Sequence, residues 1–236
     1  RRSSDLAGGR LALVLAAEEY QALPRSAIGA KRGADIADGL KALGFDVIVG
    51  MNPTNATARA SVAEFSRKAQ EADLALVVLA GHTTSANGQS FFLPVNIEIG
   101  VATDLLSRGI SITNLAHLVG GAKAGAVLVL MSVPVFPRPV EGIDARPNFT
   151  ADIGKSMVLA FSSSTKVPVS RVDALAGQNA EGLTKVFQKP GATLADAVAA
   201  VTAEGGIVFG TVPDRRLDVV PPPPPPPVTQ ATGPSA

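Results

Sequence analysis

Leu74-Ala75-Leu76-Val77-Val78-Leu79-Ala80-Gly81-His82 is an unbroken apolar run that closes on a glycine and a histidine. A run of this length with no polar alternation reads as a strand covered on both faces, which is the position of a strand inside a parallel sheet. Two further runs repeat the pattern. Leu11 to Ala17 lies before it and Ala126 to Val135 after it, each rich in Val and Leu. Stretches of helical period stand between them. Ile36, Ala37, Leu40 and Leu43 recur at turn spacing until Gly44 stops the helix, and Val62, Phe65, Ala69 and Ala72 do the same.

Strand and helix therefore alternate, and the expected fold class is α/β: a three-layer arrangement with a mostly parallel central sheet and helices on both faces. Phe45 to Val49 and Ser156 to Phe161 read as further strands, and Ile207 to Val212 as a candidate last one. Asn87-Gly88 before the apolar Phe91 to Val95 run is a hairpin signal, because both residues tolerate positive φ. Ile112 to Val119 reads as a short helix and Pro134 to Pro147 as a loop. Two late helices are expected, one from about Asn179 to Gln188. The other starts at Thr193, whose spacing to Asp196 makes a capping box.

The chain has 236 residues, 46% hydrophobic and 17% charged, enough for one globular domain with a large core. A net charge of +1 creates no field that would select nucleic acid. No apolar run approaches the roughly 20 residues of a bilayer span. The chain begins at Arg1 without a methionine, as would a mature form whose signal peptide has been removed, an exported or periplasmic protein, or a piece of a longer protein. Seven prolines in a row, Pro221 to Pro227, imply an extended polyproline linker. The expected organisation is an extension over 1–9, a domain over 10–220 and a polyproline tail over 221–236, with room for a further domain beyond it.

Several motifs together resemble a known family. Arg10-Leu-Ala-Leu-Val-Leu, Leu23-Pro24, the Ala34 to Val47 helix and strand, Ala80-Gly81-His82 and Phe92-Leu93-Pro94-Val95 follow one another in this order. Phe161-Ser-Ser-Ser, Asn179-Ala-Glu-Gly-Leu-Thr and Pro190-Gly-Ala-Thr-Leu-Ala-Asp-Ala-Val complete the series. Over residues 10 to 213 the sequence is similar to caspase-like peptidases, and to bacterial metacaspases in particular. The resemblance implies a cysteine–histidine dyad, with the histidine after the third strand and the thiol at the tip of the fourth in an Asp-x-Cys sequence.

His82 matches the dyad histidine. Met131-Ser132-Val133 stands where the family has its acid, a small residue and the cysteine, so Val133 takes the nucleophile position and Met131 that of the acid. Arg32 takes the position of an aspartate that lines the family's substrate pocket. The chain contains no cysteine at all. The resemblance thus implies a catalytically inactive member, a pseudopeptidase whose cleft binds a protein or peptide, with His82 vestigial and no cofactor or metal.

The alternative is a hydrolase that uses Ser132 with His82. With Val133 aligned beside His82, strand alternation would turn Ser132 to the other face. Such a hydrolase would also need an orienting acid, and none stands out in the sequence. His117 reads as an ordinary residue of its helix, and two separated histidines make a poor metal site. Gly120 to Gly125 precedes a strand and lacks the Gly-Lys-Ser/Thr of a phosphate loop, so it reads as a turn. Lys31-Arg32 would present positive charge to the former pocket, where an anion is the fitting ligand. The sequons at Asn55 and Asn148 carry no argument.

Overall fold

Each long apolar run becomes a strand in the computed structural model, which describes residues 9–144, 146, 153 and 156–219. The polyproline segment, the tail and nearly all of the N-terminal extension lie outside the described residues, as does the Asn148 sequon. The first half contains β1 (Arg10–Ala16), α1 (Ala30–Ala42), β2 (Asp46–Met51), α2 (Asn55–Ala69), β3 (Leu74–Ala86), β4 (Gln89–Phe92), α3 (Asp104–Arg108), β5 (Ile110–Ser111) and α4 (Ile112–Val119). The second contains β6 (Gly125–Ser132), β7 (Ile143–Asp144), β8 (Met157–Phe161), α5 (Val169–Gln188), α6 (Leu194–Thr202) and β9 (Ile207–Gly210).

The strands lie in the order β2-β1-β3-β6-β8-β9, parallel except for β9, which runs antiparallel to β8. β1, β3 and β6 are buried on both faces, and their side chains alternate between two apolar layers. Leu11, Leu13, Leu15, Val77, Leu79, Val127 and Val129 face one layer with Phe65 of α2 and Leu115 of α4. Ala12, Val14, Leu76, Val78, Leu128 and Leu130 face the other, under α1, α5 and α6. This is the expected three-layer α/β fold.

β3 runs beyond the parallel sheet, its last four residues pairing antiparallel with β4. The hairpin turn is Asn87-Gly88 with φ of +52° and +75°, the conformation a two-residue turn demands. The capping box at the start of α6 is present, Thr193 and Asp196 exchanging side-chain-to-backbone bonds.

Among the elements that differ from the expectation, two bear on the site. α5 begins at Val169, ten residues before Asn179, with Pro168 as its N-cap and Val172, Leu175 and Ala176 continuing the buried stripe. The early half is masked in the sequence by Ser170 and Gly177, poor helix formers that tertiary packing overrides. β3 ends at Ala86 rather than Ala80, because its polar continuation is paired by β4 and by β7.

α1 lies tightly on β1 at Gly33. A Cβ added there would sit 2.3 Å from the Ala16 Cβ. Gly33→Val is expected to lower the unfolding free energy by about 3 kcal/mol through overpacking. Ala34→Val, one residue on and exposed, should stay within the helix-propensity cost of about 0.7 kcal/mol. Urea denaturation of the two variants checks the difference.

Candidate functional site

The parallel register of β3 and β6 places Ala80 opposite Leu130, Gly81 opposite Met131 and His82 opposite Ser132. His82 shares the face of Ala80, and Ser132 that of Leu130. Their side chains consequently meet: Ser132 Oγ lies 2.8 Å from His82 Nδ1. The expectation that Ser132 turns away from His82 is corrected here, and the reason is a register one residue different from that assumed. Val133 follows on the other side, packed against the apolar layer that contains Met131.

The hydrogen bonds determine the protonation of the site. His82 Nε2 lies 2.7 Å from the Pro24 carbonyl oxygen. A carbonyl only accepts, so Nε2 carries the proton and Nδ1 is the acceptor. Ser132 donates to Nδ1, and Ser26 Oγ, 2.8 Å from Ser132 Oγ, donates to Ser132. Ser26 in turn accepts the Ile28 N–H at 3.2 Å. The result is a directional chain from Ile28 through Ser26 and Ser132 to His82, ending at Pro24. Tyr20 completes the enclosure. Its hydroxyl accepts the His82 backbone N–H at 2.9 Å and donates to the Leu93 carbonyl at 2.9 Å, while its ring lies 4.3 Å from the imidazole.

Pro24 and Ser26 belong to the loop between β1 and α1, which crosses the C-terminal ends of the strands. Ala17 N–H donates to Ala80 O, Gln21 N–H to Val95 O and Ser26 N–H to Glu18 O. Asn52 Oδ1 accepts the N–H groups of Glu18 and Glu19, and Glu18 caps α1 at the Ala30 N–H. The bonds at Ala30 and the adjacent Arg25 guanidinium keep the Glu18 carboxyl below its usual range. So anchored, the loop leaves Ser132 at 0% exposure, His82 at 2% and Ser26 at 5%.

An acid stands at the same strand ends. Asp173, on the early half of α5, accepts the Val133 backbone N–H at 3.1 Å, and its charge favours protonation of His82. Desolvation is nevertheless the larger influence on His82 and pulls its pKa below the ordinary value, against the opposing effects of Pro24, Asp173 and Ser132. Among the other sequence-derived positions, Met131 is 1% exposed, and its backbone N–H donates to Ser162 Oγ. Arg32 stands in the first turn of α1, where its charge acts on Glu181 of α5. Lys31 pairs with Asp35. His117 is exposed on α4.

Sequence reasoning missed Tyr20, Ser26 and Asp173. Tyr20 and Ser26 had one available signal, a loop at the C-terminal end of a parallel strand, where α/β folds place their sites. Asp173 had none, lying ahead of the helix expected from about Asn179.

The family model for the caspase domain matches residues 9–204. The chain belongs to the caspase family. Among solved structures, this caspase domain is similar to the Drosophila initiator caspase Dronc. The TM-score is 0.58 at 10% identity, over 90% of this chain and 87% of that one, a likeness of fold alone. No curated protein matches the sequence. It is a caspase domain with no cysteine anywhere in the chain.

The site makes a pH prediction. A histidine whose folded pKa is depressed binds protons better in the unfolded chain. Its contribution to stability is therefore complete above its unfolded value and is lost as the pH falls through the depressed folded value. The unfolding free energy should decline from about pH 6.5 downward, and His82→Gln should flatten that part of the profile. Denaturant titrations between about pH 7 and pH 5 read this out, and equal slopes in the two proteins would contradict it.

Proposed function

We propose that this caspase domain is a pseudopeptidase, without proteolytic activity, that acts by binding a protein or peptide. The observation that carries this reading is the state of the dyad-like pair Ser132 and His82. Ser132 is wholly enclosed by the Pro24–Ser26 loop. Acyl transfer also requires donors aimed at a developing oxyanion, and the backbone N–H after the nucleophile is a usual source. Here that N–H, of Val133, already donates to the Asp173 carboxylate. A negative charge thus occupies the place where negative charge would have to develop.

Binding is supported by the surface beside the enclosed pair. Val135, just beyond β6, is 65% exposed. A cavity of about 140 Å³ nearby is lined by Leu23, Ile97, Ile99 and Phe136. An exposed apolar residue next to an apolar hollow suits a hydrophobic side chain of a partner.

A second reading keeps Ser132 as the nucleophile of a hydrolase, and the 2.8 Å contact with His82 favours it. In that reading Pro24 orients the imidazole as a carboxylate does in serine hydrolases. It requires the loop over residues 17–29 to open and Asp173 to release the Val133 N–H.

Assays of activity and of binding decide. Fluorogenic peptides with Arg, Lys or Asp at the scissile position should remain uncleaved, and a serine-directed fluorophosphonate should leave Ser132 unlabelled. Labelling that disappears in Ser132→Ala would establish the hydrolase instead. Ser132→Cys is expected to stay inactive as well, since the loop and Asp173 are unchanged. For binding, selection from a displayed peptide library should enrich ligands that are lost in Val135→Asp and retained in Val101→Asp. Absence of enrichment would contradict the binding role.

A further inference from the structure

The opposite end of the sheet holds a second concentration of charge. Leu74 begins β3 and His82 lies eight residues along it, roughly 26 Å away at strand rise. At the Leu74 end, a cleft of about 360 Å³ is lined by Arg10, Asp73, Leu74, Lys123, Arg215 and Arg216. The four cations come from three separate parts of the chain: the start of β1, the turn before β6, and the segment after β9.

Backbone bonds hold this frame in place. Lys123 N–H donates to Ala72 O, Leu194 N–H to Arg215 O and Leu217 N–H to Ala192 O, and Thr193 bridges to Arg216. Two of the cations have their own acids, Lys123 pairing with Asp73 and Arg216 with Asp218. Four cations against two carboxylates leave an excess of two positive charges.

That excess belongs to Arg10 and Arg215, neither of which pairs with a carboxylate among the described residues. Arg10 Nη2 donates to the Asp218 carbonyl at 2.8 Å, but its Nε is buried with no acceptor. Among the described residues, Arg215 donates only to the carbonyl of the adjacent Asp214. Arg10 and Arg215 both line the cleft, and a tetrahedral oxyanion supplies acceptors in the geometry the guanidinium fork matches. A phosphate group carries about −1.5 to −2 charges at neutral pH, the magnitude left uncompensated here.

We propose that this cleft binds a phosphate group, as the free ion or as a small phosphomonoester. Isothermal titration calorimetry of the full chain, at ionic strength held constant with sodium chloride, tests it with inorganic phosphate and with phosphoserine. Saturable binding of phosphate is expected. Arg215→Gln should weaken it at least tenfold while leaving the melting temperature in chloride unchanged, and Arg10→Gln should weaken it similarly. Arg138→Gln, in the loop after β6, should bind as the parent does. Tighter binding of phosphoserine than of phosphate would identify a phosphomonoester as the ligand, and equal binding the free ion. No saturable binding, or an equal loss in Arg138→Gln, would overturn the proposal.

Discussion

The parallel register between β3 and β6 is the constraint from which the rest of the site follows. Because Ala80 pairs with Leu130, the next residues of the same face, His82 and Ser132, must also stand opposite each other. Shifting either strand by one residue would exchange its side chains between the two apolar layers and disrupt the packing on both faces, so the pairing is held by the whole core rather than locally. The apolar layers on the two sides of the sheet thus position a hydrogen bond at its end.

Once the register places a hydroxyl against the imidazole, the loop between β1 and α1 completes the arrangement. It supplies an acceptor for one ring nitrogen through Pro24 and a further hydroxyl through Ser26. Every polar group in the chain of bonds from Ile28 to Pro24 has a partner, which is the condition for burying it. A fully satisfied buried network resists opening. In the proposed reading this is why the enclosed pair is a support for the fold rather than a reacting centre, and why recognition falls to the exposed apolar surface beside it.

The site and the basic cleft divide the sheet between them. The histidine and Ser132 lie at strand C-termini, where the β1–α1 loop brings Ser26 and α5 brings Asp173, while Arg10 and, just before β6, Lys123 lie at strand N-termini. The two ends are separated by strands buried on both faces, whose side chains are apolar and closely packed. Charge and hydrogen-bonding capacity collect at the ends because the middle of such a sheet has no water to solvate them.

Much was legible before the fold was known. Buried strands announce themselves as continuous Val/Leu runs, and Gly44, Asn87-Gly88 and Thr193/Asp196 are local signals whose physics does not depend on distant residues. The absence of cysteine excludes a thiol nucleophile outright. What the tertiary structure alone decided were relations between strands and between distant segments. Which of Ser132 and Val133 meets His82 depends on a register set by packing on both faces of the sheet. Asp173 reaches the strand ends only because α5 extends back to Val169, against the propensities of Ser170 and Gly177. Arg10 and Arg215 share a cleft because the segment after β9 returns to the foot of β1. Local sequence determines which elements form, since helix period and strand burial are encoded within a few turns. The meeting of side chains far apart in the chain is decided by the core that holds those elements together.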